Sequence, residues 1–288
     1  MSVYNGADLM AQALETVYAQ TYRDFDVLVL DDGSKDNSSE IARQFPCQLI
    51  TIPNGGRGAA IRRMVEEATG EFVALIDHDD FWLPDKLEKQ VALLDSTGAT
   101  LVHADCWYNY SDGRSVERNL NFSTDACAFD HILPSNEVIA SSAVFRRQDM
   151  LDAGNFVSDT LRCVDWYGWL ILAPHRKFAH VPEKLVRYSV LDTSLANAGY
   201  RFFEAQYYLL AEKMLPRTDE LFEGLPKSQA TKYRAMMVER SGIALSSMAR
   251  AMEITGDKKQ ARVLHRRAIQ MAPRVPRVWT RALKSLFT

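Results

Sequence analysis

The chain lacks most of the features that would assign it to a special class. Its four cysteines, Cys47, Cys106, Cys127 and Cys163, form no CxxC pair. A structural zinc site is therefore not expected, and reduced thiols in a cytoplasmic protein are the expected state. No apolar run approaches the roughly 18 residues of a membrane-spanning helix. The opening Met1-Ser2-Val3-Tyr4-Asn5-Gly6 has neither a basic start nor an apolar stretch, so it does not read as a signal peptide. No GxxxxGK[ST] is present, which excludes P-loop chemistry. From Lys258 to the end there is no Asp or Glu, only nine Lys and Arg. The preceding 257 residues carry 25 basic and 37 acidic side chains, a net of −12. A basic tail on an acidic body points to an anionic surface as its partner, or to a solvated helical face.

What remains is ordinary globular material: 288 residues, 47% hydrophobic and 25% charged. That is enough for one large domain with an appendage. Residues 7–22 place Leu9, Ala13, Val17 and Leu14, Tyr18 at helical spacing. Val27–Leu30 is a short apolar run ended by Asp31-Asp32-Gly33-Ser34. Residues 38–44 read as a helix and residues 48–52 as a second strand. Asn54-Gly55-Gly56-Arg57-Gly58 is a loop that feeds a helix with Ile61, Met64, Val65 and Ala68 on its inner face. Phe72–Ile76 is the strongest strand, ended by Asp77-His78-Asp79-Asp80. Pro84 suits the first turn of a helix continued by Leu87, Val91 and Leu94. Apolar strands alternating with amphipathic helices predict an α/β fold, a largely parallel sheet covered on both faces. From about residue 200 strand signals vanish. Ala249, Gly256, Ala261, Ala268 and Pro273 match the spacing of one tetratricopeptide-like repeat, though a plain helical hairpin turning at Gly256-Asp257 accounts for them equally. The expected division is 1–199 and 200–288.

Ligands of such sheets bind beyond the carboxyl ends of the strands, and both acidic clusters fall there. Asp77-His78-Asp79 is a D-x-D whose hard oxygens suit Mg²⁺ or Mn²⁺. Surface acids produce the same triplet often, so its position after the most apolar strand is what singles it out. Asp31-Asp32-Gly33-Ser34 is either turn chemistry or an acceptor for a nucleobase or ribose donor. The Asn54 loop opens a helix beside Arg57 and Arg62, a ready anion site that is equally readable as a flexible loop with solvated arginines. His78 and His103 are left out of the ligand set, because a lone histidine in or beside a strand is more often packed or exposed.

Taken in order, Ser2–Gly6, Gln20–Val27, Asp31–Ser34, the Asn54 loop and Gly70–Asp80 resemble family 2 glycosyltransferases. The likeness covers roughly residues 1–195 and is strongest through residue 90. It implies a GT-A fold, Rossmann-like with a mixed, mostly parallel sheet flanked by helices. It also implies a nucleotide-diphosphate sugar donor, most commonly uridine-linked, a divalent metal, and inversion at the anomeric carbon. By the same likeness Asp32 contacts the base, Asp77 the ribose and metal, and Asp79 the metal. Arg57 and Arg62 approach the nucleotide, and Tyr4 and Asn5 lie near it. Gly154-Asn155-Phe156 followed by Cys163–Leu170 resembles the family's G-G-F and E-D motifs, which maps the general base onto Asp165. Trp166, Tyr167 and Trp169 suit sugar stacking or the core. Ser141–Arg147 is loosely similar to the acceptor-side strand. Three departures stand out. Val164 replaces the motif's Glu, Arg187–Asp192 lacks the Arg and His found after the Tyr in many relatives, and the first strand is short.

The implied acceptor is a glycan or lipid-linked hydroxyl, in cell-surface polysaccharide synthesis, with no nucleic acid among the partners. A sugar nucleotidyltransferase would need a glycine-rich loop where Tyr4–Ala7 stands. A non-catalytic scaffold is opposed by the retained Asp31, Asp32, Asp77, Asp79 and Asp165. As a helix, residues 273–288 put Val275, Val278, Trp279, Ala282, Leu283, Leu286 and Phe287 opposite Arg274, Arg277, Arg281 and Lys284. That pattern suits peripheral contact with an anionic membrane at its cytoplasmic face. It also suits docking on the preceding helices.

Overall fold

Strand β1 (Ser2–Val3) pairs in parallel with β2 (Leu28–Asp31), which pairs in parallel with β3 (Gln48–Thr51). In the computed structural model the described residues are 1–120, 128–157, 163–191 and 200–286, without the side chains of 285 and 286. They fall into two units, Met1–Leu191 and Asp192–Thr288. Cys127, Asp192 and Phe287 lie outside the described residues. No described helix is long and apolar enough to cross a membrane.

Helix α1 (Met10–Tyr18) buries Met10, Ala13, Leu14 and Val17, the i, i+3, i+4, i+7 stripe of a helix facing a core. It is followed by α2 (Ser38–Ala42) and α3 (Arg57–Glu67), whose inner face is Ile61, Met64 and Val65. The strand expected over 72–76 is β4 (Phe72–Ala74), with Leu75 and Ile76 buried just past it. A lone bridge between Ser2 and Asp77 brings the end of this stretch against β1. Between β2 and β4 lies a cavity of about 780 Å³ lined in part by Met1, Leu14, Leu28, Met64 and Phe72.

The remaining elements of the first unit are β5 (Phe81–Trp82), α4 (Lys86–Thr97), β6 (Leu101–Tyr110), β7 (Ser115–Arg118), α5 (Ala128–Ile132), β8 (Val144–Arg146), α6 (Arg147–Asp152), α7 (Val164–Leu172) and β9 (Phe178–Val190). They build a second sheet in the order β4-β8-β6-β9-β5, with β7 on β6. This second sheet is mixed, whereas the first is wholly parallel. The parallel pairs are β1–β2, β2–β3 and β6–β9, and the other four are antiparallel. The sheet is mixed because the short segment around 140–146 turns β8 back between β4 and β6.

The second unit is helical. It comprises α8 (Tyr200–Tyr207), a π-helical stretch Tyr208–Met214, α9 (Thr218–Leu221), α10 (Lys227–Thr255), α11 (Lys258–Met271) and α12 (Pro276–Leu286). Gly256, at φ +97°, ends α10, and the Asp257 side chain accepts from Gln260 N to start α11. Leu245, Ala249, Ala261, Leu264 and Ala268 close the hairpin core.

On β6, His103 is fully buried and stacks on His180 with ring centroids 4.8 Å apart. His180 Nε2 lies 2.8 Å from Asp105 Oδ1. Burial first, then the neighbouring His180 and His131, push the His103 pKa well below its usual value. His103 is thus neutral when folded, while in the unfolded chain it protonates near pH 6.5. Its contribution is present above that pH and is lost as pH falls below it. We expect unfolding free energy to drop from pH 7 to pH 5, and His103→Gln to reduce the slope by up to about 1.4 kcal/mol per pH unit. Urea melts at both pH values check this; parallel slopes in the two proteins would remove His103 as the source.

Candidate active site

Four turns meet where β1, β2 and the β4 stretch end. Asp31, the last residue of β2, is buried and spent on its own turn. Its carboxylate accepts from Ser34 N at 2.8 Å and from the Ser39 hydroxyl. Asp32 Oδ1 accepts from Gly55 N at 2.7 Å and Oδ2 from Gly56 N at 2.9 Å. It therefore fastens the Asn54 loop to the end of β2. Gly33, at φ +75°, permits the crossing: a Cβ there would sit 2.9 Å from Asn54 N. A reading of Asp32 as a nucleobase contact must share oxygens already engaged by that loop.

Asn5, at φ 50°, is stitched to the same turn. Its N–H donates to Ser34 Oγ at 2.9 Å and its Oδ1 accepts from Lys35 N at 2.8 Å. Tyr4 is exposed beside it. Gly6 lets the D-x-D approach, since a Cβ there would come within 2.3 Å of the His78 ring. His78 is thus packed against the first turn.

The D-x-D turn is held from behind. Asp77 N donates to Ser141 Oγ at 3.0 Å, and the Ser141 hydroxyl donates to Asp80 Oδ2. Ser189 N donates to Asp80 Oδ1 at 2.8 Å, and the Ser189 hydroxyl donates to the Asp79 carbonyl. Asp80 is fully buried, and burial together with the charges of Asp77 and Asp79 holds its pKa well above the carboxylate range. Burial and then Asp77 also raise Asp79.

Arg57 opens α3 between these acids. Its Nη2 lies 3.1 and 2.9 Å from the two oxygens of Asp77, and Nη1 lies 4.0 Å from Asp165 Oδ1. Burial opposes the guanidinium charge, but Asp77 and Asp165 outweigh it and raise its pKa. Asp165 stands in the first turn of α7, where the helix dipole favours an anion. Its Oδ2 accepts from Asn136 Nδ2 at 3.1 Å. Val164 is fully buried, so its side chain faces the core while Asp165 faces the site. Tyr188 on β9 is driven to a higher pKa by burial, then by Asp80, Asp77 and Asp165.

Arg62, expected at the nucleotide, is placed elsewhere. Its Nη1 donates to the Gly154 and Phe156 carbonyls at 3.3 and 3.0 Å, and Nε pairs with Glu66 at 3.0 Å. Five residues beyond Arg57 on one helix is about 140° of rotation, which turns it away from Asp77. Trp166, Tyr167 and Trp169 are all buried and belong to the core. The sequence did not flag Asn136, Ser189 or Tyr188 as site residues. Asn136 and Ser189 carry no local signal, since each is defined by a partner far along the chain.

Asp77 and Asp79 put two hard-oxygen carboxylates on one turn, and the raised pKa of Asp79 reflects burial and negative charge that a cation would offset. Among the described residues no group of three or more His, Cys, Asp or Glu is placed to hold a metal unaided. The donor set fits Mg²⁺ or Mn²⁺ if phosphate oxygens and water complete the shell.

Carboxylates grouped at strand ends behind an anion-suited helix start form a polar site at the ligand-binding edge of an α/β scaffold. The chain belongs to glycosyl transferase family 2, whose model matches residues 1–153. An uncharacterized glycosyltransferase of Rickettsia typhi is 34% identical over 115 residues, 39% of this chain and 36% of that protein. Glycosyltransferase AglE of Haloferax volcanii is 32% identical over 163 residues, 54% of this chain and 53% of that protein. The chain thus spans about a third to a half of these curated relatives. Among solved structures, S. aureus TarS 1–349 in complex with UDP-GlcNAc is similar with TM-score 0.69 and 14% identity, over 99% of this chain and 87% of that one. The mannosyltransferase PcManGT from Pyrobaculum calidifontis, in complex with GDP-Man and Mn²⁺, gives TM-score 0.58 and 19% identity, over 99% and 83%. The fold is GT-A.

Proposed function

We propose that the chain is an inverting glycosyltransferase that moves a sugar from a nucleoside-diphosphate donor, uridine-linked in the first instance, to a hydroxyl of a glycan or lipid-linked acceptor. The observation that carries this reading is that Asp77 and Asp165, far apart in sequence, converge on the single guanidinium of Arg57. An inverting displacement needs a base on the side of the anomeric carbon opposite the leaving diphosphate, and Arg57 brings such a candidate, Asp165, together with the donor-side turn. The acceptor oxygen forms a bond to the anomeric carbon while Asp165 takes its proton. The bond from that carbon to the diphosphate breaks, and the diphosphate leaves with the electron pair. Arg57 is placed to pair with the diphosphate once it lets go of Asp77. Asp77 and Asp79 would hold a divalent cation, which when bound offsets charge on the departing diphosphate. Tyr4 and Asn5 border the nucleotide side. UDP-GlcNAc on TarS and GDP-Man with Mn²⁺ on PcManGT support the donor class and the metal. Cell-surface polysaccharide synthesis is the role in which we place the reaction.

The basic tail belongs to the same reading. In α12 Val278 is fully buried, and Arg281 Nη1 donates to Ser247 Oγ at 2.7 Å. The helix therefore docks through one edge of its apolar arc. Trp279 and Leu283, one turn apart, remain 43% and 52% exposed, with Arg277 and Lys284 exposed on the rest of the helix and Arg274 exposed just before it. An aromatic and an aliphatic residue beside basic ones suit the interface of an anionic membrane from the cytoplasmic side.

Three outcomes follow. UDP should raise the melting temperature more with Mn²⁺ than without, and Asp79→Ala should abolish the metal increment while the protein stays folded. An increment that survives in the variant removes Asp79 from the ligand set. Asp165→Asn should keep nucleotide affinity and lower turnover about 10²–10⁴-fold; a loss under tenfold assigns the base elsewhere. Sedimentation with vesicles rich in phosphatidylglycerol should show binding that weakens with salt and is lost in Trp279→Ala/Leu283→Ala. No binding at low salt defeats the membrane reading.

A further inference from the structure

The two oxygens of Asp165 have unlike surroundings. Oδ1 is 4.0 Å from Arg57 Nη1, beyond hydrogen-bond range. Oδ2 accepts from Asn136 Nδ2 at 3.1 Å. The amide orientation is dictated by chemistry: an ionised carboxylate only accepts, so the NH₂ must face it. Asn136 Oδ1 is then left buried with no hydrogen-bond partner among the described residues. An unpaired buried acceptor is costly, and a leucine of similar shape would avoid that cost. An asparagine at this place is accounted for by what its one bonded end does.

The segment that carries Asn136 is fixed to the helix that carries Asp165. Trp166 Nε1 donates to the Ile132 carbonyl at 2.7 Å, and Trp169 Nε1 donates to the Val138 carbonyl at 2.9 Å. Both indoles come from α7, and the two carbonyls bracket Asn136. Ile132, Leu133 and Val138 are fully buried. The amide is therefore held rigidly opposite the carboxylate, whose other oxygen has, among the described residues, only the longer approach of Arg57. Among the described residues, the charged and titratable groups that face Asp165 are Arg57 from α3, Tyr188 from β9 and Cys163 just before α7.

We propose that Asn136 is a positioning residue for Asp165: it fixes the rotation of the carboxylate through Oδ2 and leaves Oδ1 to receive the acceptor's proton. The proposal rests on Asp165 being the base. A base turned out of line loses much of its effect without any change in donor binding.

The test compares Asn136→Leu and Asn136→Asp with Asp165→Asn. Hydrolysis is followed on UDP-GlcNAc, UDP-glucose and GDP-mannose with Mn²⁺, water serving as acceptor. In parallel, carboxyl-¹³C aspartate labelling follows the titration of Asp165, whose resonance is the one missing in Asp165→Asn. Asn136→Leu should lower kcat about 10- to 100-fold at unchanged donor KM. It should also move the Asp165 titration midpoint upward, because a hydrogen bond to the charged form is lost. Asn136→Asp should move it further, by adding like charge. A merely structural asparagine would alter thermal stability and leave the midpoint in place. If none of the three donors turns over, the midpoint alone decides. An unmoved midpoint in both Asn136 variants overturns the proposal while Asp165 stands. Full hydrolysis by Asp165→Asn sinks the base assignment, and this proposal with it.

Discussion

One buried carboxyl holds the front of the molecule together. Asp80 lies behind the D-x-D turn and takes the Ser189 amide on one oxygen and the Ser141 hydroxyl on the other. Those two serines then reach forward, Ser141 to the amide of Asp77 and Ser189 to the carbonyl of Asp79. The turn is thereby tied to β9 and to the bend before β8. Without that anchorage Asp77 and Asp79 would be two mutually repelling acids on a free loop. With it, Asp77 is fixed well enough for Arg57 to bridge toward Asp165 from a different helix. The penalty of burying Asp80 is offset by two hydrogen bonds in a low-dielectric setting.

The parts of this arrangement that were legible in the sequence are those written locally. Apolar runs ending in acids located β2, the β4 stretch and both carboxylate turns, because a strand must bury its residues and a polar cluster must stop it. The spacing 61, 64, 65 gave the inner face of α3, and Gly256-Asp257 gave the turn of the hairpin. The anchoring residues were illegible for an equally physical reason: Ser141 and Ser189 are 61 and 109 residues from Asp80, and a serine alone carries no sign of its partner. That Arg62 turns toward Gly154 and Phe156 was illegible because loop composition says nothing about helical phase. The reversed strands of the second sheet were illegible because strand–helix alternation is clear only in the first half, whereas the long β6 and β9 and the reversed β8 lie beyond it.

The aromatic residues near Asp165 illustrate how packing and chemistry divide a short motif. In Val164-Asp165-Trp166-Tyr167-Gly168-Trp169 all but Asp165 are buried. The helix spends its bulk on the core and lends one position to the site. Such economy is what fixes a carboxylate within narrow limits, since every neighbour on the helix is immobilised by contacts of its own.

The uneven charge of the chain bears on the speed of donor encounter. The first 257 residues are net −12 and the site itself is edged by Asp31, Asp32, Asp77, Asp79 and Asp165, with Arg57 as its central cation. A free nucleotide diphosphate is itself an anion, so long-range forces repel it from this acidic part of the chain. Most enzymes steered by charge slow down as salt screens an attraction. Here screening removes a barrier, and association with the uncomplexed nucleotide should quicken as ionic strength rises.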